Sequence, residues 1–134
     1  MKITFQDYSL MRYPSAGDYV LENNQWNFYI ANLSKKRYSW LVLYHEIIEC
    51  YLCYWFGIKE PEIMAFDLDY EDRREKRINC KYGCKITYLS EPGFDKHAPY
   101  RIPHIIATIF EWLFSKLLFV SWKKYSEDIY NLEY

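Results

Sequence analysis

The sequence predicts an α+β fold, with a small N-terminal antiparallel β-hairpin packed on a core of three helices. Three observations predict it. Two strand-like runs, Tyr19 to Glu22 and Gln25 to Ala31, flank Asn23-Asn24, a pair that tolerates the left-handed turn conformation. Three long stretches after residue 36 read as helices with start and stop signals at Gly57, Pro61, Gly83 and Pro103. The chain has 134 residues, 51% hydrophobic and 21% aromatic, enough for a single domain spanning residues 1–134 with a bulky aromatic core. That composition excludes a disordered chain. The net charge of -1 gives no general drive toward nucleic acid or anionic membranes.

In chain order, Lys2 to Phe5 reads as a short strand. Arg12 to Asp18 is an irregular connection broken by Pro14 and Gly17, and the hairpin follows. Asn32 to Lys36 is a polar link in which Ser34 is placed to cap the next helix. Leu41 to Phe56, LVLYHEIIECYLCYWF, is the most apolar run and reads as a central, buried helix ended by Gly57. Glu60-Pro61 opens a second helix that runs to about Cys80, with Gly83 beyond it. Its charged half, EDRREKR, reads as a solvated face with i,i+4 pairs. Ser90 to Arg101 is a loop with two prolines and a glycine, of a length often functional in a compact domain. Pro103 then opens a last long helix to about Lys124, and Tyr125 to Tyr134 either adds a turn or frays.

The chemistry lies in the polar residues of these apolar helices. His45, Glu46 and Glu49 interrupt the central helix, and a carboxylate there is costly unless paired, hydrogen-bonded or bound to metal. His45 and Glu49 are four apart and share one face, giving the pattern HExxE. The last helix carries His104, Thr108, Glu111 and Ser115 along one polar stripe. The second helix offers Asp67 in an apolar context, with Glu71 four residues on. If the helices pack together, His45, Glu49, Asp67 and His104 converge on one cavity. Two imidazoles and two carboxylates suit a divalent transition metal, Zn or Mn/Fe(II), rather than Ca. Other uses remain open. His104 could cap its helix or lie exposed. Asp67 could pair with Arg73, Arg74 or Arg101. Glu46 could be a ligand, the general base or half of a buried ion pair. His97 is a further candidate in the loop, and the set could form a metal-free hydrogen-bonded network.

Cys50, Cys53, Cys80 and Cys84 read as thiols rather than disulfides, either buried and inert or a four-thiolate zinc site. Ile102 to Val120 is apolar enough to resemble a membrane span, but His104, Glu111 and Lys116 argue for a buried core helix. The residues after Met1 contain no apolar signal-peptide region, so the expected compartment is the cytoplasm.

Taken together, RYPSAGDY at Arg12 to Tyr19, HEIIE, AFD and EPGFDKHAPY followed by His104 resemble a family of small bacteriophage and prophage proteins. Its members share a RYPTAGD-like start, an HE-[LI]-[IV]-E helix, an AFD helix and an EPG-D-x-x-APY loop followed by a histidine. The likeness covers most of the chain and implies no particular activity. The family loop often continues PYHREH, whereas Pro99 to His104 here lacks the first of those histidines. A more distant likeness is to the zincin metallopeptidases. That likeness implies His45 as a zinc ligand, Glu46 as the catalytic general base, and Glu49 in place of the second histidine, with Asp67 or His104 as third ligand. Glutamate there adds negative charge and favours harder metals.

Three functions follow as expectations. The first is a metal-binding protein acting as a small zincin-like hydrolase on a small-molecule or peptide substrate. The second is a helical Mg-dependent nucleotide pyrophosphohydrolase, which Glu46-x-x-Glu49 fits and Asp67-x-x-Tyr70 does not. The third is a non-enzymatic phage-related structural or interaction protein with an aromatic binding surface. No nucleic-acid or membrane partner is expected, and a homo-oligomer is compatible with the sequence.

Overall fold

The computed structural model describes residues 1–75 and 91–133. Strands β1 (Lys2–Gln6), β2 (Gly17–Glu22) and β3 (Gln25–Ala31) form a sheet of order β1-β3-β2. β2 and β3 pair antiparallel as the predicted hairpin, in register Glu22↔Gln25 to Gly17↔Ile30. Asn23 and Asn24 sit at φ 50° and 60°, the two left-handed residues that a two-residue hairpin turn requires. β1 lies parallel to β3 on its other edge, which makes β3 the central strand. A short 3-10 turn, Tyr8–Leu10, follows β1 and is capped by Asp7.

Helix α1 (Lys36–Trp55) is the centre of the fold, packing against α3, β2 and β3. Ser34 does not cap it. The N-cap is Lys35, and the Ser34 amide donates to Asp128 instead. The entry to the helix is held by buried Ser39, whose hydroxyl accepts the Leu33 amide and donates to the Ala31 carbonyl. At the far end Gly57 takes φ +72°. The Ile58 amide reaches Cys53 and the Gly57 amide reaches Tyr54, a Schellman closure.

Helix α2 (Glu60–Glu75) starts at Glu60-Pro61 as the sequence predicts. Acidic Glu60 and Glu62 in its first turn and basic Arg73 and Arg74 in its last complement the helix dipole. Its charged half is not simply a solvated face. Arg73 pairs with Asp69 on the outside, but Glu71 and Arg74 are buried and pair with each other. The predicted end of this helix, with Cys80 and Cys84, lies outside the described residues.

The loop before the third helix contains a second 3-10 turn, Pro92–Phe94. The predicted last helix ends early as α3 (Arg101–Leu117), and the segment expected to add a turn or fray belongs to a separate helix α4 (Trp122–Glu133), so the described residues form four helices rather than three. The break is a second Schellman closure. Val120 donates to Ser115 and Phe119 donates to Lys116, with Phe119 at φ 54° where glycine is usual. α4 then folds back, and buried Tyr125 packs on Tyr38 of α1. The core runs between the sheet and α1 through Phe28, Ile30, Leu41 and Cys53. Among the described residues no helix is long and apolar enough to cross a membrane.

Candidate metal centre

α1 and α3 turn His45, Glu49 and His104 toward each other at the floor of a cavity of about 110 Å³. The i,i+4 spacing places His45 and Glu49 on one face of α1, and the antiparallel packing of α3 brings His104 opposite them. Glu49 Oε2 lies 2.7 Å from His104 Nδ1 and 3.2 Å from His45 Nε2. The two ring nitrogens are 3.2 Å apart. All three residues are buried. Ligands at ~2.0–2.1 Å around a tetrahedral ion lie about 3.3 Å from one another, so this triangle has the dimensions of one face of a coordination shell. A buried His45–Glu49–His104 group of this kind can bind a metal ion.

The surrounding groups orient these ligands. On its far side, His45 Nδ1 meets Glu111 Oε2 at 2.9 Å, and Glu111 accepts the Tyr125 hydroxyl. His104 Nε2 lies 3.2 Å from Glu91 Oε2, although the pair is not aligned as a hydrogen bond. His45 therefore has a hydrogen-bonded carboxylate behind it, the arrangement that fixes tautomer and ring orientation in metal-ligating histidines, while His104 has a carboxylate close by without that bond. Tyr19 from β2 donates to the other oxygen of Glu49 at 3.2 Å.

Two glycines make room for the site. A Cβ on Gly93 would lie 2.6 Å from His104 Cδ2 and Nδ1, so the 3-10 turn abuts the imidazole ring. A Cβ on Gly17 would lie 2.6 Å from Glu46 Cγ. Glu46 is half-buried, lines the cavity, and makes no hydrogen bond or ion pair among the described residues.

The electrostatics follow from burial and from these pairings. Burial alone would lower His45 and His104. The Glu111 and Glu49 carboxylates instead hold His45 well above its ordinary value, and Glu49 and Glu91 raise His104 to about 9. Burial would raise Glu49, but bonds from His104 and His45 bring it down to about 2. Glu46 has no such partner. Burial and the adjacent Glu49 charge push it well above the usual carboxylate range.

Of the predicted ligands, His45, Glu49 and His104 come together and Asp67 stands apart. Asp67 lines the same cavity and is buried, but it is outside the group whose ligand atoms lie within 4.8 Å of one another. It accepts the Tyr100 hydroxyl, and none of Arg73, Arg74 and Arg101 is its partner. His97 closes a local turn on Asp95 away from the cavity lining. Glu111 supports His45 from behind rather than entering the triangle. Thr108 and Ser115 of the same stripe bond backward to the carbonyls of His104 and Trp112. Cys50 and Cys53 are buried free thiols on α1, and burial pushes Cys53 up to about 12. Sequence reasoning missed Glu91, Tyr19, Tyr125 and the close approach of the two glycines. The SAGD and EPG motifs held the signal for the glycines. Comparison with protein-family models, with curated proteins and with solved structures returns no match.

Proposed function

We propose that this chain is a metal-binding protein that works as a small zincin-like hydrolase. The observation that carries the reading is the 2.7–3.2 Å triangle of His45 Nε2, Glu49 Oε2 and His104 Nδ1 beside the unpartnered Glu46 carboxylate. The three ligands would hold a divalent transition ion, zinc or alternatively manganese or iron, with imidazole nitrogens that a magnesium site does not call for. A bound ion would supply Lewis acidity toward a water or a carbonyl oxygen. Glu111 holds the His45 ring in place, and Glu91 lies close to the His104 ring. Glu46 takes the proton of the attacking water and returns it to the leaving group. Burial and the adjacent Glu49 charge raise its proton affinity above the usual carboxylate range, and a general base must sit within hydrogen-bond reach of the water it activates. Asp67 and Tyr100 line the cavity beside the reacting centre and would orient a substrate of small size.

A second reading rests on the hydrogen-bond chain Tyr125–Glu111–His45–Glu49–Tyr19, which ties α4, α3, α1 and β2 together. In that reading the polar network fixes the fold and the chain is a binding protein without catalysis. Elemental analysis of metal-replete protein separates the readings. The hydrolase reading expects about one transition ion per chain, lost in His45→Ala and Glu49→Ala. It expects Glu46→Gln to keep the ion and lose ~10²–10⁴-fold in hydrolysis of an activated peptide or ester. Wild type without stoichiometric metal, with His45→Ala merely destabilised, sinks the hydrolase reading.

A further inference from the structure

The amphipathicity of α3 is reversed with respect to the domain. Its polar stripe, His104, Glu111 and Ser115, faces inward, while Phe110, Leu113 and Leu117 are exposed. On α1, Trp40, Tyr51 and Trp55 are likewise exposed. These last three recur at helical spacing, on a different face from His45 and Glu49. The Trp40–Tyr44 and Tyr44–Phe114 ring contacts join the two helices along this side. The result is one apolar surface over an antiparallel helix pair, and among the described residues nothing covers it.

We propose that this surface is the interface of a homodimer, in which the α1–α3 pairs of two copies pack face to face as a four-helix bundle. Three arguments select a second copy as the occupant. The first is area. Leu117 is 71% exposed and Trp55 is 85% exposed. With large side chains of ~150–250 Å² each, the six residues present on the order of 600 Å² per copy. Two copies would bury roughly 1,200 Å², the lower bound of a stable specific interface, before any rim is counted. That patch is also at the top of what a monomer leaves bare, roughly 300–600 Å². The second is charge. From Tyr38 to Trp55 α1 has no lysine or arginine, and α3 has none between Arg101 and Lys116. The six side chains carry no charge and can meet their own copy in a two-fold interface, with exposed Arg37, bonded to the Leu118 carbonyl, and Lys116 at its border. The third is geometry. Two antiparallel helices with an apolar outer face are half of a four-helix bundle, which packs them at about 20°. Because the interface covers the backs of α1 and α3, it would brace the helices that carry the metal ligands while leaving the cavity open.

The test is the molar mass of the full chain by sedimentation equilibrium from about 1 to 100 µM. The chain mass is 16.5 kDa, so the dimer is about 33 kDa. Trp55→Lys, at the most exposed position of α1 in the patch, and Leu113→Glu are each expected to weaken self-association at least ~100-fold. Circular dichroism and metal content should stay at the wild-type level, which separates loss of the interface from loss of the fold. If both substitutions unfold the chain, wild type decides alone. Wild-type protein that stays at the chain mass up to 100 µM overturns the proposal. So does a wild-type dimer that both folded variants leave intact. Flotation of the wild-type monomer with phosphatidylcholine/phosphatidylglycerol vesicles, abolished by Trp55→Lys, would overturn it in favour of a lipid surface.

Discussion

Gly93→Ala places a single methyl group against the His104 ring and so perturbs the ligand triangle without substituting a ligand. Gly93 has no positive φ, so alanine there brings no backbone strain and the effect is steric. The new Cβ would sit 2.6 Å from His104 Nδ1 and Cδ2, against ~3.5–4.0 Å for relaxed contact. The ring must therefore retreat by about 1 Å. That shift is large beside a triangle whose His104 edges are 2.7 and 3.2 Å. It would also move Nε2 relative to Glu91. Disturbing the orientation of a metal-ligating histidine typically costs ~10–100-fold in affinity, equivalent to ~1.4–2.8 kcal/mol. Overpacking adds ~1–3 kcal/mol of lost fold stability. The assay is competition for Zn(II) or Co(II) against a chromophoric chelator, with urea unfolding of the metal-free protein in parallel. Gly57→Ala is the control. At φ +72° it should destabilise by about 1 kcal/mol and leave metal affinity unchanged, since nothing lies within 4 Å of its Cβ. A Gly93→Ala protein that is folded and binds metal with wild-type affinity would refute the reasoning.

Two further outcomes follow from the groups behind the triangle. Tyr125→Phe removes the hydroxyl that Glu111 accepts while keeping the buried ring. It should cost ~1.5–3 kcal/mol in urea unfolding, as expected for a hydrogen bond to a charged group. Metal affinity should fall ~10-fold, and an unchanged affinity would show that Glu111 does not need Tyr125. Burial pushes Asp67 up to about 8, against the hydrogen bond from Tyr100. The folded state of the metal-free protein then holds this proton while the unfolded chain loses it near pH ~4. Stability from this group is complete below that point and declines until pH reaches the folded value of about 8. The slope is at most ~1.4 kcal/mol per pH unit for one proton. Asp67→Asn should flatten that decline in urea titrations at several pH values, and parallel curves for the two proteins count against the assignment.

How much was legible in the sequence depends on whether a signal was local. The hairpin was readable because Asn23-Asn24 is local turn chemistry, and the end of α1 because Gly57 marks a Schellman closure. The end of α3 uses the same closure but puts Phe119 in the left-handed position, at an expected cost of ~1–2 kcal/mol. No residue-type rule reports a helix end at a phenylalanine, so the last helix read as running on to about Lys124, and most of α4 read as a further turn or a frayed tail. Ser34 was a valid capping residue by type, but its amide is taken by Asp128 from the far end of the chain. The buried Glu71–Arg74 pair was hidden for a similar reason. An alternating charge run looks solvated until tertiary packing covers one side of it.

The site was legible to the extent that burial of polar residues was legible. His45, Glu49 and His104 stood out because each interrupts an apolar stretch, and the structure brings those three together. Asp67 satisfied the same rule for a different reason, since its carboxylate is occupied by Tyr100. Periodicity identifies a polar residue that must be satisfied but not what satisfies it. Glu46 is the converse case. Its sequence neighbourhood matches that of Glu49, yet Glu49 collects bonds from Tyr19, His45 and His104 while Glu46 collects none. Glu46 instead lies against the backbone at Gly17, where a Cβ would lie 2.6 Å from its Cγ. Two glutamates three residues apart on one helix thus differ in proton affinity in opposite directions, one down to about 2 and the other well above its ordinary value. Under the proposed hydrolase reading, Glu49 as a ligand would stay ionised and Glu46 as a general base would take up a proton, and the two shifts run in those directions.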